Sequence, residues 1–144
     1  MKPVRILVML LCGVLCYAGT LGAGTPSAGT DPRFNPAQLD RIERSLAMAL
    51  ESNSPGMYTS AALTLQQVKA VVPDYSFELC VIPLMRIVKT ERYDPTARIV
   101  AAIALHELHS GRGDFAIART GLFTNDPGVR RTCGWLAYYR SLGQ

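Results

Sequence analysis

His106-Glu107-Leu108-His109 is the stretch of this chain whose residue types most directly suggest chemistry. Two imidazoles and a carboxylate on one helix are the donor set of a zinc site. The zinc-binding pattern, however, sets its histidines four residues apart, with the glutamate after the first. Here the spacing is three, which still lets two imidazoles share a helix face and hold a metal weakly. The competing reading places both histidines in the last turn before Ser110-Gly111, where positive charge suits a helix C-terminus. His106 and His109 are therefore weak metal candidates without an evident further ligand.

Other chemistry finds less support. The sequence has no Gly-x-Ser-x-Gly nucleophile turn, no glycine-rich phosphate loop and no cysteine beside an obvious helper. Glu43, Glu51, Glu78, Glu91 and Glu107 are scattered without a paired spacing and read as solvated helix faces. A non-catalytic protein without a cofactor is expected.

The elements that would position any site are announced by a phrase written three times. Ser54-Pro55-Gly56-Met57 through Val68, Asp94-Pro95-Thr96-Ala97 through Leu108, and Asp126-Pro127-Gly128-Val129 through Arg140 begin alike, at spacings of 40 and 32 residues. Each opens with a turn or cap residue and a proline, as helix starts do. Small residues coincide in the middle as Ala61-Ala62, Ala101-Ala102 and Cys133-Gly134, where they would let helix backbones approach closely. Leu63, Ile103 and Trp135 then share one position. Repetition of this kind predicts stacked helix pairs.

Each pair can be traced. Asn35-Pro36 starts a helix whose Leu39, Ile42, Leu46 and Leu50 recur at helical spacing, opposite Asp40, Arg41, Glu43 and Arg44. After Ser52–Gly56, a second helix runs to the residue before Pro73. The second pair begins after Pro73-Asp74, with Pro83 predicted to bend its first helix. Its partner opens at Asp94-Pro95 and is apolar all round from Ile99 to Leu105, so it must lie at the centre of the array. In the third pair, Asp114 is expected to cap Phe115–Phe123, and Asp126-Pro127 opens the last helix.

Asp94-Pro95-Thr96-Ala97-Arg98 with Ala101, Ala102 and Leu105, and Asp126-Pro127-Gly128-Val129-Arg130 with Cys133 and Gly134, resemble the HEAT/armadillo-type repeat family. The first copy, Ser54-Pro55-Gly56-Met57-Tyr58, lacks both aspartate and arginine. The resemblance implies an all-α domain, a short α-α superhelix of three HEAT-like helix pairs over about 35–72, 74–109 and 114–142. It also implies Asp94, Arg98, Asp126 and Arg130 as structural repeat residues. Arg98 and Arg130 lie near helix starts, where the dipole disfavours positive charge, and nearby Asp94 and Asp126 are expected to compensate.

Before this domain, Lys2 and Arg5, the uncharged apolar run Ile6–Tyr17 and the small residues Ala18–Gly24 have the layout of a signal peptide. The apolar run falls short of the roughly 20 residues that span a bilayer. Cleavage near Ala23 gives a 1–23 signal peptide and a 24–34 flexible lead-in before the 35–144 repeat domain; a retained anchor is the alternative. The residues before Cys12 and Cys16 suit lipidation poorly. Without Lys2 and Arg5 the formal charge falls from +4 to +2, 13 basic residues against 11 acidic, which gives no support for nucleic-acid binding. Cys80 and Cys133 remain, either paired in an oxidising compartment or serving as small core residues.

The expected function is an exported, periplasmic or secreted, protein-protein interaction or scaffold module, with self-association open to so short an array. The alternatives are a metal-binding protein using His106 and His109, or a carrier of a small apolar ligand. Trp135, Tyr138 and Arg131 on the last helix are the partner-binding candidates. Alignment with Leu63 and Ile103 favours a core position for Trp135, whereas Tyr138, aligned with Gln66 and His106, is the better surface residue.

Overall fold

Each helix begins where a residue can satisfy amides that the first turn leaves bare. A computed structural model describes residues 35–142. The signal peptide and lead-in expected over 1–34 lie outside the described residues. Helix α1 (Pro36–Leu50) starts with a reciprocal cap: the Asn35 side chain accepts from Ala37 N, and Gln38 Oε1 accepts from Asn35 N. Helix α2 (Pro55–Val71) follows Ser54, whose hydroxyl makes no capping bond. Helix α3 (Glu78–Lys89) carries Pro83 buried in its interior, so the Leu79 carbonyl lacks its helical donor.

Helix α4 (Pro95–Glu107) is capped by Asp94 Oδ2, which accepts from Thr96 N at 2.9 Å and Ala97 N at 3.3 Å. Helix α5 (Gly111–Phe123) starts earlier than expected. Ser110, not Asp114, is its cap, and Asp114 lies inside the first turn. The glycines that read as a break are tolerated within that turn. At Gly113 a Cβ would fall 2.8 Å from Leu105 Cδ1, so a larger residue would force that buried side chain to shift. Helix α6 (Pro127–Leu142) has Asp126 Oδ1 accepting from Val129 N at 2.8 Å.

The described residues form no strand, and the protein is all-α. Sequential helices pack as α1 on α2, α3 on α4 and α5 on α6. Across the pairs, α1 meets α3 and α3 meets α5, while α2 meets α4 and α4 meets α6. The result is two rows of three helices. Helix α4 touches α2, α3, α5 and α6, which explains why it has no polar face.

The core between the rows holds Leu39, Leu50, Leu65, Phe77, Leu84 and Leu105, all essentially inaccessible. Burying each such side chain contributes about 1.5–3 kcal/mol. The small residues of the repeated phrase do what their size suggests: Ala61, Ala62, Ala101, Ala102 and Cys133 are buried, though Gly134 is exposed. Between α5 and α6 the backbones approach closely at Gly121, where a Cβ would stand 3.0 Å from Gly134 N and 3.2 Å from Cys133 C.

Candidate functional site

Arg98 and Arg130, at matching positions of the repeated phrase, both bond to the ends of preceding helices. Arg98 projects from the first turn of α4 and is only 3 % exposed. Its Nε donates to Val88 O at 3.1 Å, in the last turn of α3, and its Nη2 donates to Thr124 Oγ1 at 3.0 Å. Arg130, at the matching place in α6, donates through Nε and Nη2 to Thr124 O at 3.1 and 2.6 Å. Both guanidiniums therefore sit against the C-terminal ends of preceding helices, where unpaired carbonyls concentrate negative partial charge.

The aspartates do not compensate these arginines as expected. Asp94 and Asp126 are spent on their own helix amides, and the counter-dipole comes from α3 and α5. Thr124 links consecutive units, accepting on its hydroxyl from Arg98 and on its carbonyl from Arg130. In the first copy, Tyr58 takes the arginine position. It is buried and meets Tyr93 edge to face at 5.2 Å.

Glu43 is also buried, not part of the solvated face where its neighbours lie. Its Oε1 accepts from Leu79 N at 2.7 Å and its Oε2 from Tyr75 Oη at 2.9 Å. A carboxylate from α1 thus closes the N-terminus of α3, which has no side-chain cap of its own. Partial burial and the bonds to Asp40 and Glu43 hold the Tyr75 hydroxyl above the ordinary tyrosine range. The sequence did carry a signal: Glu43 stands four residues after Leu39 and three before Leu46, on the apolar stripe itself.

His106 and His109 close α4. His109 takes a left-handed backbone (φ 54°) just past the helix, and its Nδ1 lies 3.1 Å from His106 O. The two rings stand 6.4 Å apart, edge to face. Among the described residues no three His, Cys, Asp or Glu side chains cluster as metal ligands would. Partial burial, reinforced by Arg140, lowers the His106 pKa from its usual value, against an upward pull from Asp114. Arg140 holds Asp114 in two parallel bonds of 3.0 and 3.2 Å and also donates to His106 O at 3.4 Å. This clasp joins the end of α6 to the start of α5 and the end of α4.

Cys80 and Cys133 are free, fully buried thiols. Burial, with Glu43 nearby, pushes the Cys80 thiol up to about 12. Burial also pushes Cys133 up to about 11, against a downward pull from Arg98.

Trp135 is exposed (56 %), contrary to the core position that its alignment favours. Its aligned partner Leu63 is exposed too, and Ile103 is only half-buried, so the shared position lies on the flank of each helix. The inward face of α6 is carried by Val129, Cys133 and Leu136. Trp135 packs instead on Tyr139, with ring centroids 4.4 Å apart. Arg131, Trp135, Tyr138 and Leu142 recur at helical spacing, and all four are exposed.

No helix among the described residues is long and apolar enough to cross a membrane. No protein-family model, curated protein or solved structure matches the chain.

Proposed function

We propose that this chain is an exported, short α-α superhelix of three HEAT-like helix pairs that serves as a non-catalytic protein-interaction module. The repeated cap-proline starts, the two rows of helices and the arginines linking successive units support the architectural part of this reading. Export rests on the composition of the N-terminal segment.

The observation that carries the interaction reading is the exposed stripe of α6. Trp135, Tyr138, Tyr139 and Leu142 leave large apolar surface uncovered beside Arg131. Tryptophan, tyrosine and arginine are the residue types that dominate interface energetics, because they bury much area at low entropic cost. Contiguous exposed apolar surface of this kind marks contact sites on soluble domains.

Affinity capture from the native envelope fraction tests the reading, with the Trp135→Ala/Tyr138→Ala double variant run in parallel. A specific protein should co-purify with the wild type and be lost with the double variant, while the two proteins retain the same helical content. Identical capture profiles would remove the α6 stripe as the contact surface.

A further inference from the structure

We propose that the cleft between the C-terminal ends of α3 and α5 binds the dianionic phosphate group of a phosphorylated small molecule. The cleft has a volume of about 310 Å³ and is lined by Lys89, Glu91, Arg98, Arg119, Thr120, Phe123 and Thr124. It is open on one side and adjoins the Arg98–Thr124 link, away from the exposed stripe of α6.

Two wall residues are more than nine-tenths buried and still offer unused donors. Arg98 engages Val88 O through Nε and Thr124 Oγ1 through Nη2, while Nη1 has no partner among the described residues. The Thr120 hydroxyl, on a residue 6 % exposed, likewise makes no hydrogen bond among the described residues. No fully buried side-chain polar atom among the described residues lacks a partner, so both groups must reach the solvent of the cleft. Thr124 Oγ1 already accepts from Arg98 Nη2 and from Asp126 N at 3.4 Å, which leaves its own proton free to donate. One guanidinium N–H and two hydroxyls thus line one space.

The charge of the cleft selects the ligand class. Lys89, Arg98 and Arg119 face the single carboxylate of Glu91, a net charge of +2. Glu91 turns its Oε1 toward Asn125, accepting from N at 3.4 Å and Nδ2 at 3.3 Å. Arg98 enters no ion pair among the described residues, so its buried charge has only neutral acceptors. A dianion neutralises the cleft, whereas a monocarboxylate leaves it positive. Phosphate also presents enough oxygens to take the guanidinium, hydroxyl and ammonium donors together. The helix ends carry negative partial charge, which is offset in part because Arg98 holds Val88 O and Arg130 holds Thr124 O. The volume exceeds what phosphate alone fills, and the exposed ring of Phe123 at the rim offers a surface for an attached organic group.

Protein-observed NMR titration of the purified protein at fixed ionic strength tests this, with inorganic phosphate, phenyl phosphate and acetate as probes. Phenyl phosphate should give saturable shifts confined to the ends of α3 and α5, with tighter binding than inorganic phosphate and none for acetate. Arg119→Gln should weaken binding about tenfold, the equivalent of one charge-assisted hydrogen bond. Thr120→Val should weaken it severalfold, and the exposed control Arg112→Gln should change nothing. Arg119 is exposed, so its variant keeps the test decisive even if Thr120→Val fails to fold. The absence of saturable shifts, or full affinity in the Arg119 variant, would overturn the site. Equal binding of acetate would overturn the dianion, and equal affinity for the two phosphates would overturn the monoester.

Discussion

The Arg98 guanidinium on α4 and the Thr124 hydroxyl at the end of α5, 26 residues apart in sequence, are joined by a buried 3.0 Å hydrogen bond. Since the same guanidinium also holds Val88 O of α3, one side chain ties three helices together. Removing it leaves a cavity and deprives two buried acceptors of a donor. Arg98→Ala should destabilise by about 3 kcal/mol and Thr124→Val by about 1–2 kcal/mol. Chemical denaturation of both single variants and the double variant checks this. The pair should show positive coupling, and unchanged stability in Arg98→Ala would remove the proposed linking role.

Gly121 of α5 lies against the backbone of Gly134 on α6, and the two should respond oppositely to alanine. A Cβ on Gly121 meets backbone, which cannot swing aside, whereas nothing lies within 4 Å of one on Gly134. Gly121→Ala should cost about 1–3 kcal/mol through forced separation of the helices. Gly134→Ala should stabilise by up to about 1 kcal/mol through helix propensity. Thermal melts of the two variants read the sign directly.

The thiols of Cys80 and Cys133 should be inert in the folded protein. Their raised pKa values keep them protonated at neutral pH, and neither is reachable. Alkylation with iodoacetamide, mapped by peptide mass spectrometry, should label neither residue in native protein and both in denaturant. Rapid native labelling of either would mean that the core opens far more readily than its packing implies.

His106 gives the fold a pH dependence of defined sign. Partial burial and Arg140 lower its folded pKa, so the folded state favours the neutral ring. Between that lowered value and the unfolded value of about 6.5 the unfolded chain binds more protons, so stability rises with pH there. The contribution is complete above about pH 6.5 and is lost as pH falls below it. Melting temperatures from pH 7 to 5 should fall more steeply for the wild type than for His106→Gln. Parallel curves would show that the imidazole feels no such environment.

Much of the helical architecture could be read from the chain because its signals are local. Asn35, Asp94 and Asp126 cap the helices that their positions announce, and the apolar girth of α4 matches its central place. The misreadings share a different cause. Glu43 looks solvated beside Asp40 and Arg44, and its burial depends on α3 presenting Leu79 N 36 residues later. The partners of Arg98 and Arg130 include backbone carbonyls at helix ends, which leave no trace in a side-chain pattern. Trp135 looked like core because its position recurs, yet that position lies on the flank of each helix, with Leu63 exposed and Ile103 half-buried. Asp114 looked like a cap because glycines precede it, while its actual partner, Arg140, lies 26 residues away.

Site-specific photocrosslinking reads out whether the exposed stripe of α6 is a contact surface. A photoreactive amino acid placed at Trp135 in the native cells should yield a discrete protein adduct, whether to another protein or to a second copy of this chain. The same probe at exposed Ser60 on α2 should yield none. Equal adducts from both positions, or none from Trp135, would contradict the interaction reading.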